Sequence, residues 1–412
     1  MRSIVVLIIL LLSLVGVYMF LETPVKTWGG PGKENICDAC IYESYIYVLG
    51  EVYSQTGEPH IVVYKLSFSG HIVSSWVFSN ASVGHAIFAY SMSIYVAGTV
   101  YRDSSEFGLL IKLNTKLNVT WIKMFREVST ISSVYVYINK IYLIGKNTTS
   151  LINYVMILDT HGNLQWRGHF ENIVDIFVYR DDLYIVCAYS DGIHYVYLMS
   201  LSPSGEIFSV CDWIYPRDIK VENIFAIGDN VFVVGYLMNP SSKSYDVFVA
   251  CFDLLSEDLA WNITWGGGRD DYGYSIAFSD LYLYITGETT SYDPTGHSDV
   301  FILKVGIDGG IIWSKTWGSF FSDDAGKSIV TYYDSIFVLG ETYDSGDNYY
   351  DAFIMKIDPY GNYEWHILQI PKRGFRGLGF YLALLASIIS LVYLINTRRI
   401  TYILRKEHDY II

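Results

Sequence analysis

Residues 261–313 read WNITWGGGRDDYGYSIAFSDLYLYITGETTSYDPTGHSDVFILKVGIDGGIIW, and residues 313–365 read WSKTWGSFFSDDAGKSIVTYYDSIFVLGETYDSGDNYYDAFIMKIDPYGNYEW. One pattern is present twice. Trp261, Trp313 and Trp365 stand at a period of 52, and Gly287 and Gly340 keep step. Each copy holds four short runs of alternating apolar residues with turn residues between them, the pattern of a four-stranded propeller blade.

Outward from this pair, the small residue that closes each second run serves as a landmark. It recurs at Gly50, Gly98, Gly145, Cys187, Gly235, Gly287 and Gly340, at spacings between 42 and 53. Seven landmarks predict an all-β chain folded as a seven-bladed propeller of four-stranded blades. The third runs open on aspartate (Asp246, Asp299, Asp351), and turns such as IDGG from Ile307 and DPYGN from Asp358 lead into the fourth. That fourth run carries Trp76, Trp121, Trp166, Trp261, Trp313 and Trp365; blade four has Ser209-Val210 at this place, with Trp213 nearby. Blades two to four lack the WGG and paired-Asp elements and rest on periodicity. Val25-Lys26-Thr27-Trp28-Gly29 matches Ser314-Lys315-Thr316-Trp317-Gly318, the end of a fourth run, yet it precedes blade one. It is therefore expected to pack on blade seven and latch the ring, which removes an exposed sheet edge.

The ends of the chain read differently. Residues 4–20, IVVLIILLLSLVGVYMF, follow Arg2 without a charge and mark 1–21 as a signal anchor or signal peptide. Residues 377–396 form a second apolar run, long enough at 1.5 Å per residue to cross a bilayer. The expected division is a propeller ectodomain over 22–370, a transmembrane helix with its basic flank over 371–397, and a short cytoplasmic tail over 398–412. The propeller would then face outward from the cell membrane, with a transmembrane helix at each end. Asn80, Asn118, Asn147 and Asn262 begin N-x-S/T sequons within the outward portion, as a glycoprotein would carry them.

Formal net charge is −14, but the region between the apolar ends holds 20 basic and 40 acidic residues. Such a body repels nucleic acid and favours cations or basic partners. Five cysteines form no even framework, and Cys37-x-x-Cys40 stands alone on a predicted strand, where residues three apart face opposite ways.

The pattern carried by Trp265, Gly266, Gly267, Asp270, Asp271, Gly273, Ser275, Ile276, Gly287, Asp299, Phe301, Lys304, Gly309 and Trp313 resembles the bacterial and archaeal SBBP β-propeller repeat. Blade seven repeats most of it, from Trp317 and Gly318 to Trp365. The resemblance implies an exposed or secreted propeller and brings no catalytic residue with it.

A search for chemistry finds little. The nine histidines are scattered with no H-E-x-x-H pattern, and no G-x-S-x-G occurs. Ala325-Gly326-Lys327-Ser328 ends like a phosphate loop but opens a strand rather than a helix. The acid pairs Asp270-Asp271 and Asp323-Asp324 are the candidate metal ligands, for Ca²⁺, although paired aspartates before a strand also accept N–H bonds in a turn. The function expected is binding or scaffolding of an envelope protein or glycan at the membrane surface, through the loops 289–299 and 342–351. The alternative is an extracytoplasmic propeller enzyme, like a quinone-dependent dehydrogenase or a polysaccharide lyase, with charged residues meeting over the central channel.

Overall fold

In the computed structural model, a β-bulge in the inner strand sets where each blade bends. The structure describes residues 25–28, 33–54, 56–150, 152–179, 182–190, 194–202, 206–318, 322–344 and 349–364. The apolar runs at 4–20 and 377–396, the basic flank and the tail 398–412 lie outside them. Among the described residues no helix is long and apolar enough to cross a membrane.

Seven antiparallel sheets of four strands follow one another along the chain, each starting from an inner strand and ending at an outer one. The inner strands are Glu34–Tyr42, Ser82–Tyr90, Thr130–Tyr137, Ile173–Tyr179, Ile219–Ile227, Asp271–Ser279 and Asp324–Tyr332. Every one carries a β-bulge at the same register, at Cys37, His85, Ser132, Val174, Glu222, Tyr274 and Lys327. A bulge kinks its strand and increases the local twist. Here it also presses a main-chain carbonyl onto the second strand: a Cβ at Gly98, Gly235, Gly287 or Gly340 would lie under 3.0 Å from the oxygen of Val83, Lys220, Tyr272 or Ala325. At these four landmarks the residue is glycine because the bulge beside it leaves no room, whereas a Cβ at Gly145 would meet the Met156 and Val128 side chains and blade four carries Cys187.

Seven apolar cores fill the ring, one between each pair of neighbouring blades. Alternation along the second and third strands sends one set of side chains to each neighbour, as with Leu49 and Ile61 toward blade two and Ile46 and Val48 toward blade seven. The repeated Trp clamps adjacent blades through its indole N–H. Trp121 Nε1 donates to the Thr160 carbonyl at 3.3 Å, Trp261 to Ile307 at 3.0 Å and Trp313 to Pro359 at 3.2 Å. The lysine that ends the third run helps: Lys304 Nζ donates to Pro359 O at 2.9 Å and sits 3.9 Å from the Tyr282 ring centre. Buried or half-buried aromatic edges with a satisfied polar tip suit such a junction.

The ring closes as the sequence predicts. Val25–Trp28 pairs antiparallel with the third strand of blade seven, Tyr349–Ile357, from Val25↔Met355 to Trp28↔Ala352. Val300↔Trp317 to Leu303↔Ser314 is the same register in blade six. The later chain begins that edge with Ile357↔Tyr363 and a Glu364 N–H bond to Lys356 O at 3.0 Å. The fourth strand of blade seven is thus assembled from both sides of the domain; Trp365 lies outside the described residues.

One expectation is corrected. Cys37 and Cys40 do not face opposite ways, because the bulge at Cys37 interrupts the alternation, and both pack toward the core between blades one and two. All five thiols are free.

Candidate binding face and the polar girdle of the channel

The inner strands enclose a cavity of about 670 Å³ lined by all seven blades. Just after each bulge comes one residue whose side chain reaches the next blade: Asp38, Ala86, Ser133, Asp175, Asn223, Ser275 and Ser328. Each lies twelve residues before its landmark. Asp38 Oδ2 accepts the Ile87 N–H at 3.0 Å, Ser133 Oγ donates to Asp175 at 2.8 Å, and Asn223 Nδ2 donates to Asp175 at 3.2 Å. Asn223 Oδ1 accepts Ile276 N–H, Ser275 Oγ accepts Ile329 N–H, and Ser328 Oγ donates to Asp38 at 3.4 Å. A girdle of side chains thus joins six of the seven junctions, and Ala86, without a polar atom, leaves the one between blades two and three open.

The girdle's carboxylates are strained electrically. Burial outweighs the main-chain donors and pushes Asp38 up to about 7; the same cause takes Asp175 to about 6. His85 opens onto the bore but is walled by protein, and this desolvation, with Lys146 nearby, pulls it down to about 4.

Above the girdle lies the mouth. The inner strands start, the second strands end and the third strands begin at this end of the ring, as Asp271↔Thr289 and Thr289↔Asp299 show. The residue after each landmark stands here, and four glutamates gather on the arc of blades five, six, seven and one: Glu222, Glu288, Glu341 and Glu51. Tyr274 Oη donates to Glu288 at 2.8 Å, Glu341 accepts Ile36 N–H at 3.2 Å, and Tyr53 Oη donates to Glu51 at 3.1 Å. Burial pushes Tyr274 well up, and Glu288 adds to the shift. Tyrosine rings pack beside them: Tyr236 meets Tyr272 edge-on at 4.8 Å and Tyr245 at 5.4 Å. Lys327 sits 4.8 Å from the Tyr274 ring centre, and Lys220 pairs with Glu222 at 2.8 Å. The opposite arc, in blades three and four, presents Ser132, Lys146, Val174 and Ala188.

The predicted metal ligands are all at this end, in other company than the sequence pairs them. Asp270 Oδ1 accepts Tyr245 N–H at 2.9 Å, and Asp323 Oδ1 accepts Ser298 N–H at 3.2 Å and lies 2.9 Å from His297 Nδ1. These first members of the doublets fasten each blade to the one before. Asp271 accepts Gly267 N–H and Ser291 Oγ–H, both at 2.8 Å, and a bond from Thr289 Oγ1; Asp324 accepts Ser322 Oγ–H at 2.8 Å. Among the described residues no three His, Cys, Asp or Glu side chains converge as a metal cluster. The loop 289–299 is folded onto this face, with Tyr292 Oη on the Gly266 carbonyl and Arg269 Nη1 on those of Thr290 and Asp293. Of the loop 342–351, residues 345–348 lie outside the described residues.

Sequence reasoning missed the channel residues. Lys327 and Ser328, the end of the phosphate-loop-like run from Ala325, line the bore. The recurring signal was a small residue twelve before each landmark, polar in six of the seven blades, a spacing that no catalytic motif shares.

No family model matches the chain, and no curated protein matches it in sequence. Solved structures do. Extracellular domains 1–2 of Drosophila semaphorin 1a align at a TM-score of 0.52 and 8% identity, over 81% of this chain and 87% of that one. The β-propeller domain of the trilobed protease of Pyrococcus furiosus, described as having an open velcro topology, aligns at 0.48 and 9%, over 81% and 99%. A polysaccharide lyase aligns at 0.45 and 8%, over 78% and 89%. At these identities the likeness is one of architecture alone; the seven blades are those of this chain's own seven four-stranded sheets.

Proposed function

We propose that this propeller is a binding or scaffolding module, tethered to the membrane and facing outward, that holds an envelope protein or glycan against its channel mouth. The observation that carries the reading is the arc of tyrosines and glutamates over blades five to seven, beside the loop 289–299. Tyrosine offers a broad, stiff contact with a polar tip at small entropic cost, so it suits recognition better than long flexible side chains do. The tether rests on the apolar runs at 4–20 and 377–396, and the outward setting fits exposed Asn80, Asn118 and Asn262. The resemblance to SBBP repeats points the same way. The acidic body turns away nucleic acid.

The catalytic alternative has less to draw on. Asp38 and Asp175 are engaged across blade junctions, and Tyr274, pushed up by burial, is a poor base at neutral pH. No arginine lines the cavity among the described residues.

The test is capture by the full-length chain from a detergent extract of its own membranes, with a glycan array in parallel. Tyr236→Ala/Tyr272→Ala should lose the captured partner while keeping the melting temperature within a few degrees. Equal capture by wild type and variant would remove the mouth as the contact surface.

A further inference from the structure

The aspartates that open strands meet in pairs across two blade junctions. Asp246 stands second in the third strand of blade five, Tyr245–Asp253, and Asp271 first in the inner strand of blade six, and they approach Gly266 from two sides. A Cβ at Gly266 would come within 3.0 Å of Asp246 Oδ1 and of Asp271 Oδ2. One junction on, Asp299 Oδ1 and Asp324 Oδ2 stand within 3.0 Å of the same point at Gly318. Glycine here leaves a small cradle whose walls are carboxylate oxygens.

Three of the four are buried, with Asp246 5% exposed, Asp271 0% and Asp324 1%, and Asp299 is half-buried. Asp246 Oδ2 accepts Asn239 Nδ2–H at 2.6 Å, whereas its Oδ1, turned toward the cradle, has no hydrogen-bond partner. Asp299 Oδ1 is in the same position at the second junction. Burial pushes both Asp246 and Asp271 above the ordinary carboxylate range, three donors on Asp271 oppose this by favouring its charged form, and among the described residues neither has a Lys or Arg ion pair. Buried charges are paired or coordinate metals.

We propose that each cradle binds a divalent cation of the calcium class, one between Asp246 and Asp271 and one between Asp299 and Asp324. Calcium takes six to eight oxygens from carboxylates, carbonyls, hydroxyls and water. The Ser291 and Thr289 hydroxyls already touch Asp271, and Ser322 touches Asp324. Two carboxylates per site place the affinity in the weak range of extracellular modules, about 10⁻⁴–10⁻³ M. The ligand set differs from the sequence doublets: Asp271 and Asp324 remain, but their partners are Asp246 and Asp299 from the preceding blade, and Asp270 and Asp323 serve as turn acceptors. Calcium would thus bridge blades five to six and six to seven.

The experiment uses the full-length chain freed of metal with a chelator. Calcium at about 10 mM, well above that range, should raise the melting temperature by a few degrees. Terbium should give luminescence excited through Trp265 and Trp317, which adjoin the two cradles, and calcium should displace it. Asp246→Asn/Asp299→Asn should lose both responses and melt, without calcium, no lower than the wild type. Gly266→Ala/Gly318→Ala keeps every carboxylate, fills the cradles and should lose the same responses. No calcium shift and no terbium signal in the wild type, or responses that survive in both variants, would overturn the proposal and leave a shared proton as the neutralising charge.

Discussion

Blades five to seven and blades two to four solve the same packing problem with different parts. In the first group a phenylalanine on the third strand stands opposite the landmark glycine: Phe248 against Gly235, Phe301 against Gly287, Phe353 against Gly340. Each ring covers its glycine, and a Trp on the fourth strand of the preceding blade covers the ring in turn, with Trp213, Trp265 and Trp317 at 5.4, 4.6 and 5.1 Å from the three rings. In the second group Leu109 faces Gly98, Tyr154 faces Gly145, and Tyr197 faces Cys187. The acid pairs are narrower than the division, since Asp271 and Asp324 open the inner strands of blades six and seven whereas blade five opens on Ile219 and blade two on Ser82. The lesson is that bulge and small landmark make the blade, while the Phe–Gly–Trp stack and the aspartates are additions to it.

If that is right, damage to the stack should be costly. Phe301→Ala removes a fully buried ring between Gly287 and Trp265 and is expected to cost about 3–5 kcal/mol in unfolding free energy, read from urea melts. A loss under about 1 kcal/mol would mean that the stack is ornament on a blade held by its other contacts. The landmark comes next. Gly287→Ala drives a methyl into the Tyr272 carbonyl and should cost about 1–3 kcal/mol, whereas Cys187→Ala, at a landmark that already tolerates a Cβ, should stay below about 1 kcal/mol. Equal costs at the two sites would break the link between bulge and landmark.

The comparison also explains what the sequence made legible. Blade number, the landmarks and the latch at Val25–Trp28 could be read because steric and ladder constraints act at fixed chain separations. The repeated Trp could be located, but its bond to the next blade's turn, as from Trp313 to Pro359, runs between repeats and leaves no spacing of its own within one. The acid pairs were half visible for the same reason. Asp270-Asp271 is adjacent in sequence, while the true neighbour of Asp271 is Asp246, twenty-five residues earlier on another blade. The mouth residues were hidden because Glu288 and Glu341 look like ordinary polar residues at a strand end. Only ring closure brings them to one arc.

The girdle is the feature that both groups share, since Asp38 and Asp175 fasten blade one to blade two and blade four to its neighbours. It predicts a pH dependence of definite sign. An unfolded aspartate titrates near 3.9. With the folded values raised to about 7 for Asp38 and about 6 for Asp175, the native state holds more protons than the unfolded one through this interval. Their stabilisation is therefore complete below about pH 4 and is lost as pH rises through the folded values. Asp299, raised to about 6, adds in the same direction, and His85, lowered to about 4, opposes between its folded value and the ordinary one. Above the ordinary histidine range the carboxylates act without that opposition. The melting temperature should fall modestly between about pH 6.5 and 8. Asp38→Asn should flatten this fall, whereas Asp280→Asn, at an exposed turn outside the channel, should leave it intact. A slope unchanged by Asp38→Asn would place the titrating group elsewhere than in the girdle, and would leave the two groups of blades without the shared tie that loosens as pH rises.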